Sequence, residues 1–241
     1  MSPSEQAASR GEPSYVWRAG QERRFQMVRR HVPLEGRRVL DVGCGLGLYT
    51  AAFRRHTPHV YGVEIEFDRA REARARATGV VVAQAEALPF AAGSFDVVFS
   101  HEVVEHVEDD RQMIVEACRV LAPGGHLVLF APNRLYFFET HGFYWRGRYH
   151  FGNIPLINYL PNPLRNRLAP HVRAYTVGGL RRLLRGLPLR LLRHTQIYPG
   201  YDRIVVRRPR LGRFLRAVTY ALERTPLRRL GLSHFLVARK L

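Results

Sequence analysis

Residues 39–47, VLDVGCGLG, place three glycines at alternate positions directly after four residues suited to a buried strand. Because glycine has no Cβ, three of them at this spacing indicate that another group approaches the backbone closely. Apolar residues then recur at helical spacing, at Leu48, Ala51, Ala52 and Phe53. A strand, a glycine loop and a helix in this order form the unit in which open α/β sheets bind nucleotide-like ligands, at the carboxyl end of the strand.

The rest of the chain alternates predicted strands and helices, which is typical of a doubly wound α/β fold. We predict a seven-stranded, mostly parallel, Rossmann-like sheet with strands over 38–42, 59–63, 80–83, 95–100, 126–130, 189–197 and 234–239. Helices are predicted around 25–32, from 48 to about 55, over 68–77 and 109–121, after the N-cap Thr176, and around 214–222. Tyr15 and Trp17 are expected to pack against the main body.

The alternation stops at Pro132, and residues 132–172 are rich in proline and aromatic residues. A segment this long is rarely a plain connection and usually forms a lid or a binding loop. We therefore predict an arm and helix in 1–36, a main domain over 37–241, and a lid or acceptor-binding insertion over 132–172, after the fifth strand. Within it, IPLINYLPNPLRNRLAP predicts either an interfacial element, with its leucines and tyrosine inward and its arginines toward lipid headgroups, or a packed lid.

Charge is distributed unevenly along the chain, whose formal net charge is +18. From Arg165 to the end there are 19 basic residues and two acidic ones, Asp202 and Glu223. This predicts a positive surface on the C-terminal third, suited to phosphates, anionic lipid or nucleic acid. A solvated face of an enzyme is the other interpretation, and the sequence favours neither.

Targeting and metal signals are weak. The first residues lack the pattern of a secretory signal, and no apolar run reaches the length of a membrane span. Cys44 and Cys118 lack metal-type spacing, so neither a metal site nor a disulfide scaffold is predicted. We expect a cytoplasmic protein, with peripheral contact to the inner membrane face as an option.

The glycine pattern discriminates between nucleotides. Dinucleotide-binding loops read G-x-G-x-x-G, whereas this loop reads G-x-G-x-G and has Leu48 where the third dinucleotide glycine would stand. The tighter loop suits a smaller group, such as the amino-acid end of S-adenosylmethionine. Glu64 ends the next strand, where a carboxylate can accept both ribose hydroxyls.

Four segments, VLDVGCGLG, AEALPFAAGSFDVVFS, VVEHVED and RVLAPGGHLVLFAPN, together resemble the class I S-adenosylmethionine-dependent methyltransferases, in particular the bacterial group acting on small molecules, lipids and glycans. The resemblance covers residues 37–133 in strict order and the rest more loosely. It implies S-adenosylmethionine as cofactor, with the methionine end at Asp41, Gly43, Gly45 and Gly47, the ribose at Glu64, and the adenine at Ile65, Gln84 and Ala85. Gln84 replaces a common aspartate, and its amide oxygen can still accept from the adenine amino group.

Histidines are the candidate catalytic residues. Methyl transfer is an in-line displacement, so the protein must hold acceptor and methyl collinear. A hydroxyl acceptor also needs a base, and the imidazole pKa of about 6.5 suits that role. His106 is the first candidate and His101 the second, while His141 in the insertion can be polarised by Glu139. The alternative is that Glu105 and His106 only brace their loop.

Acceptor-binding candidates lie in or next to the insertion: Arg134, Glu139, His171, Arg173 and Tyr175. The resemblance favours an acceptor site here, since similar clusters occur in the group that methylates glycans or lipid-like acceptors. The two arginines can bind a phosphate or carboxylate bidentately. That these residues only satisfy one another within a lid is equally compatible with the sequence.

Together these features predict a methyltransferase acting on an oxygen of a small-molecule, glycan or lipid-linked acceptor. A quinone-like ring methylated at carbon is the chemical alternative. An RNA methyltransferase is disfavoured because SHEVV stands where base-amino methyltransferases have an Asn/Asp-Pro-Pro-aromatic motif. The glycine loop and Glu64 argue against a non-catalytic module that only binds the cofactor, and Leu48 argues against a nicotinamide oxidoreductase.

Overall fold

The computed structural model describes residues 16–241. The prediction for Tyr15 lies outside the described residues, as does most of the predicted N-terminal arm. Trp17 packs edge-on against Phe25 and Tyr49, with ring centroids 6.2 and 5.1 Å apart, as the sequence predicts.

A seven-stranded sheet forms the centre of the fold, with the strand order β10-β11-β5-β4-β1-β2-β3. Its strands are β1 (Val39–Val42), β2 (Val60–Glu64), β3 (Gly79–Val82), β4 (Phe95–His101), β5 (Leu121–Pro132), β10 (Leu189–Ile197) and β11 (Ser233–Lys240). The four strand pairs β5–β4, β4–β1, β1–β2 and β2–β3 are parallel, whereas β11 runs antiparallel to both β5 and β10. The predicted mostly parallel, seven-stranded α/β sheet is confirmed.

Helices cover both faces of the sheet. They are α1 (Ala19–His31), α2 (Leu48–Phe53), α3 (Phe67–Ala73), α4 (Asp110–Val120), α5 (Asn162–Leu168), α6 (Val177–Arg182), α7 (Asp202–Arg207) and α8 (Pro209–Leu222). One apolar core packs α1 and α2 on one face of the sheet, and a second packs α4 and α6 on the other. This arrangement leaves the carboxyl ends of β1, β2 and β4 together at one edge.

Local cap chemistry fixes several boundaries. Asp109 is the N-cap of α4, where its side chain accepts from the Gln112 amide, so the helix begins one residue later than predicted. Thr176 caps α6 in the same way through the Gly179 amide, as predicted. At the C-terminus, α8 begins at Pro209 instead of near residue 214, and α7 was not predicted.

The segment over 132–172 contains short elements instead of a plain loop. β6 (Phe138–Glu139) pairs with β9 (Ile154–Pro155), and β7 (Phe143–Trp145) pairs with β8 (Arg148–His150). Helix α5 follows a short 3-10 turn, and Thr176 marks the return to the main fold. The residues of this segment pack around one buried arginine.

In IPLINYLPNPLRNRLAP one arginine departs from the interfacial interpretation, which directs the arginines toward headgroups. Arg165 is only 2% exposed, whereas Leu156, Tyr159 and Leu164 are about half exposed. The guanidinium of Arg165 faces inward because it donates to Glu139 Oε2 at 2.8 Å, to Asn158 Oδ1 and to the Val172 carbonyl. Burial of this cation is possible because each of these partners accepts a hydrogen bond from it.

Within residues 16–241, no helix combines the length and the apolar character needed to cross a bilayer.

Candidate active site

A cavity of about 990 Å³ opens where β1, β2 and β4 end. Its wall includes seven of the eight predicted cofactor-binding residues: Asp41, Gly43, Gly45, Glu64, Ile65, Gln84 and Ala85. All three predicted catalytic histidines, His101, His106 and His141, border it as well. The fold therefore brings together residues that lie up to 100 positions apart in the sequence.

The backbone of the glycine loop favours glycine at three positions, but the close approach of a ligand explains only one of them. Gly43, Gly45 and Gly47 all have left-handed φ angles, of +71°, +53° and +79°. A Cβ at Gly43 would stand 2.3 Å from Val103 Cγ2, and one at Gly47 would meet Ala73. At Gly45 a Cβ would meet no protein atom within 4 Å. Gly45 is thus where the backbone is open to a ligand, whereas its two neighbours are packed against the protein itself, and Gly47 does not border the cavity.

Glu64 is held rigidly at the end of β2. Its carboxylate accepts from the backbone amides of Gly45 at 2.9 Å, Ile65 at 3.0 Å and Glu66 at 3.1 Å. The residue is 5% exposed and still borders the cavity. Since a carboxylate has about four acceptor positions, three amides leave room for a ligand hydroxyl.

Asp41, at the third position of β1, is more deeply buried. The Thr50 hydroxyl donates to its Oδ2 at 2.7 Å. Burial, opposed by that hydrogen bond and reinforced by the charge of Glu64, raises the pKa of Asp41 to about 7. A cationic ligand group in the cavity would favour its ionised form.

Two histidines on the cavity wall form a second group with a buried carboxylate beside them. His106 and His141 pack edge to face with ring centroids 5.3 Å apart. The Nε2 atoms of both rings lie 3.9 Å from Glu105 Oε1. His141 Nδ1 lies 3.0 Å from Glu139 Oε1, and Arg165 binds the other oxygen of Glu139.

Burial sets the charge states of these groups. Burial, with the neighbouring His141, lowers the pKa of His106 to about 3. Burial raises the pKa of Glu105 well above its usual value, and the nearby Glu102 carboxylate adds to this shift. Burial would also raise the pKa of Glu139, but the hydrogen bond from His141 and the charge of Arg165 hold it below its usual value.

His101 sits deeper, at the end of β4. Its ring packs against Tyr49 and Phe130, and its Nε2 has no hydrogen-bond partner among the described residues. Burial, followed by the charge of Arg24, lowers its pKa to about 4. The ring is therefore neutral near pH 7. Glu102, which follows it, has a left-handed φ of +56° and accepts from Ser233 Oγ at 2.8 Å.

Comparison with known proteins agrees with this geometry. The profile of the methyltransferase domain family matches residues 40–129, which contain the glycine loop, Glu64 and the end of β4. A crystal structure of an S-adenosylmethionine-dependent methyltransferase from Mesorhizobium loti superposes with a TM-score of 0.65 over 92% of this chain and 98% of that one, at 21% identity. Residues 40–129 thus match the methyltransferase domain family, and the chain has the fold of S-adenosylmethionine-dependent methyltransferases.

The methyltransferase domain is also similar in sequence to other proteins. A ubiquinone biosynthesis O-methyltransferase of Methylococcus capsulatus is 35% identical over 118 residues, which are 46% of this chain and 50% of that protein. An uncharacterized methyltransferase of Mycobacterium sp. (strain KMS) is 44% identical over 96 residues, 39% of this chain and 38% of that protein. The chain thus spans about half or less of the length of these relatives. The same fold serves the [4+2]-cyclase SpnF, with a TM-score of 0.62 over 99% of this chain and 92% of that one at 17% identity, so the fold alone does not fix the reaction.

The cavity of the methyltransferase domain fits S-adenosylmethionine. The open face of Gly45 and the buried carboxylate of Asp41 form one end, which suits the amino-acid group of the cofactor. Glu64 lies beside them with acceptor capacity left for the ribose. Ile65 is 43% exposed, Gln84 is exposed and Ala85 is buried, and all three border the cavity where an adenine would lie.

None of the five predicted acceptor residues borders the cavity. Arg134 donates to the Leu160 carbonyl at 2.6 Å, and Arg173 donates to the carbonyls of Val107 and Glu108. The Arg134 guanidinium therefore links two parts of the insertion, and that of Arg173 links the end of the insertion to the loop after β4. The structure does not bring the two together as an anion clamp.

Tyr175 and His171 are also bound internally. The Tyr175 hydroxyl donates to the Val104 carbonyl, with Asp110 Oδ2 also 2.9 Å away. His171 Nε2 lies 3.0 Å from the His141 carbonyl. His171 and Glu139 therefore both contact His141, which lines the cavity, and do not line it themselves.

Sequence reasoning missed several residues of the cavity wall. Arg18 and Arg203 border it from α1's N-cap position and from α7, and Thr140, Tyr149 and Phe151 border it from the insertion. No motif singles these out, although Arg203 belongs to the basic C-terminal third. Glu102 also borders the cavity, and its position directly after the candidate base His101 is a sequence signal for it.

Proposed function

We propose that the chain transfers the methyl group of S-adenosylmethionine to an oxygen of a small-molecule acceptor. The observation that supports this most is one cavity lined by two chemically different groups of residues. Gly45, Asp41 and Glu64 form the group that suits the cofactor. His106 and His141 form the other group, with the buried Glu105 carboxylate 3.9 Å from both Nε2 atoms. The ubiquinone biosynthesis O-methyltransferases among its relatives favour oxygen as the methylated atom.

Bound S-adenosylmethionine would supply an electrophilic methyl group on a sulfonium. The residues of this chain then have three tasks: to hold the cofactor, to orient the acceptor oxygen in line with the methyl, and to assist loss of the hydroxyl proton. Asp41 and Glu64 serve the first task through their carboxylates. Glu105, His106 and His141 are placed for the other two.

His141 is the more strongly oriented of the two imidazoles. Its Nδ1 is fixed by Glu139, which is fixed in turn by the buried Arg165. A carboxylate on one ring nitrogen selects the tautomer and directs the other nitrogen, here Nε2, toward Glu105. His106 has no such carboxylate on Nδ1, and burial holds it neutral.

An amphiphilic acceptor is favoured by the exposed surface of α8. Leu211, Phe214 and Val218 are 42%, 65% and 41% exposed and recur at helical spacing. The arginines Arg210 and Arg213 are exposed on the same helix. An apolar stripe between arginines suits contact with an anionic membrane surface, from which a lipid-linked acceptor could enter.

Membrane contact is tested by sedimentation with vesicles of phosphatidylglycerol or of phosphatidylcholine. Phe214→Ser should reduce binding to the anionic vesicles at least several-fold. Phe67→Ser is the matched control, because Phe67 is equally exposed, at 67%, but lies on α3. Equal binding of both variants and the unmodified chain would contradict a role for α8.

The transfer itself is tested with radiolabelled S-adenosylmethionine and an extract separated into small-molecule, lipid, glycan and nucleic-acid fractions. Label is expected in a small-molecule or lipid fraction and lost on replacement of His141 by alanine. His59→Ala is the control, since His59 is exposed at the amino end of β2. Label found only in RNA would replace the proposed acceptor class. Label in no fraction, with cofactor binding intact, would indicate a non-catalytic cofactor-binding protein.

A further inference from the structure

Glu105 is a buried carboxylate without a hydrogen-bond partner. It is 1% exposed, and no donor among the described residues is paired with either of its oxygens, although a second carboxyl group, that of Glu102, lies within reach of it. A buried charged or polar group left in this state is costly, and such groups in folded proteins are paired with a donor, water or an ion. The carboxylate therefore indicates a missing partner at this position.

The groups around Glu105 are not suitable as that partner by themselves. The Nε2 atoms of His106 and His141 are each 3.9 Å from Glu105 Oε1, which is too far for a hydrogen bond. In the tautomer in which His141 Nδ1 donates to Glu139, the lone pair of Nε2 points toward the Glu105 oxygen. A nitrogen lone pair and a carboxylate that face each other across this distance favour a positive ion between them.

The surroundings of His141 have the organisation of a metal ligand. Metal-binding histidines commonly donate their second ring nitrogen to a carboxylate, which fixes the tautomer and the ring orientation. Glu139 accepts that bond here, and Arg165 holds Glu139 with a contact of 2.8 Å. This support lies in the interior and needs no adjustment when an ion binds.

We propose that Glu105, His106 and His141 bind one divalent transition-metal ion where the two histidines line the cavity. One ligand atom from each residue lies within 4.8 Å of the other two, and no other set of three such side chains occurs within residues 16–241. Metal–ligand bonds of about 2.1 Å place neighbouring ligand atoms about 3 Å apart. Side-chain rotations that bring the ligand atoms closer by roughly 1–2 Å would complete the site.

The ligand set determines the class of ion. Two imidazoles and one carboxylate suit Zn²⁺, Mn²⁺, Fe²⁺ or Co²⁺, whereas Mg²⁺ and Ca²⁺ prefer oxygen ligands alone. Three protein ligands leave coordination positions open toward the cavity. If the proposed function holds, an acceptor hydroxyl bound there would lose its proton to water more readily, because the ion stabilises the oxyanion.

A proton is the rival occupant of this position. Glu102 lies close to Glu105, and one proton shared by the two carboxyl groups would also relieve the unpaired charge. The two occupants differ in what they predict. A shared proton gives no metal affinity, whereas the metal site gives one ion per chain.

The test uses the full chain without a histidine tag, freed of metal by a chelator and titrated with Zn²⁺ and, for its absorption spectrum, with Co²⁺. The unmodified chain should bind one equivalent of either ion, give a visible d–d spectrum with Co²⁺, and gain thermal stability. Glu105→Gln and His141→Asn should each lose affinity by at least about 100-fold. His59→Ala should bind like the unmodified chain.

Glu105→Gln guards against a folding artefact, because it keeps the side-chain shape and removes a buried charge. Its melting temperature without metal should equal or exceed that of the unmodified chain. Binding that is absent, or equally strong in Glu105→Gln, would overturn the proposal in favour of the shared proton. The metal titration contains neither cofactor nor acceptor, so its result does not depend on the proposed function. Metal binding without any methyl transfer would refute the proposed function alone. Methyl transfer by a chain that binds no metal would refute the metal site alone.

Discussion

Replacement of Asp41 by asparagine should change how the stability of this protein depends on pH. The substitution keeps an acceptor for the Thr50 hydroxyl, which now binds Asp41 at 2.7 Å, and removes the ionisable proton. Burial raises the pKa of Asp41 to about 7 in the folded chain, against 3.8 for the ordinary aspartate. Between these values the folded chain holds a proton that the unfolded chain has released.

The sign follows from proton linkage. The stabilisation from a raised pKa is complete below the unfolded value and is lost as the pH rises through the folded value. With one pKa unit equal to 1.36 kcal/mol, the shift from 3.8 to about 7 predicts that the unmodified chain loses roughly 3 kcal/mol of stability between pH 5 and pH 8 through Asp41. Asp41→Asn cannot make this contribution, so it should become relatively more stable as the pH rises.

Urea unfolding of both chains at pH 5, 6, 7 and 8, without cofactor, measures the difference directly. Asp96→Asn is the control, because the hydrogen bonds and charge of Arg38 lower the pKa of Asp96, so that it is ionised in both states over this range. The control should change stability by a constant amount. A difference between Asp41→Asn and the unmodified chain that stays flat within about 0.5 kcal/mol, or that moves the other way, would refute the account of Asp41.

Two further substitutions test the glycine loop and the insertion. Gly45→Ala should reduce affinity for S-adenosylmethionine at least tenfold while lowering the free energy of unfolding by only about 1 kcal/mol, since the φ of +53° is strained for alanine but no protein atom is displaced. Calorimetry measures the affinity and urea unfolding the stability, and undiminished affinity would contradict a ligand at this position. Arg165→Met should lower the free energy of unfolding by roughly 3–5 kcal/mol, because it leaves the buried Glu139 carboxylate uncompensated, and a loss below about 1 kcal/mol in urea unfolding would show that the pair is not structurally important.

The parts of the fold that local sequence determines were predictable. The apolar residues of β1, the glycine loop and the helix after it form one continuous unit, and the alternation of strands and helices sets the sheet order around it. Asp41 and Glu64 end up on the cavity wall because both sit at strand ends that a parallel sheet brings to one edge.

The parts of the fold that depend on contacts between residues far apart in the sequence could not be predicted. The inward position of Arg165 depends on Glu139, which precedes it by 26 residues and belongs to a different short element. The same holds for the group of Glu105 and His141, which lie on separate loops and meet only through the path of the insertion. In the glycine loop, the sequence could not tell that Val103, a side chain from after β4, takes the space beside Gly43.

The most direct test of the central claim is calorimetric titration of the chain with S-adenosylmethionine, S-adenosylhomocysteine and a reduced nicotinamide dinucleotide. One site per chain is expected for the first two ligands, with affinity lost in Glu64→Ala, whose carboxylate joins the loop at Gly45 to the end of β2. The dinucleotide should produce no heat. Heat with the dinucleotide and none with either sulfur compound would contradict the assignment of this cavity.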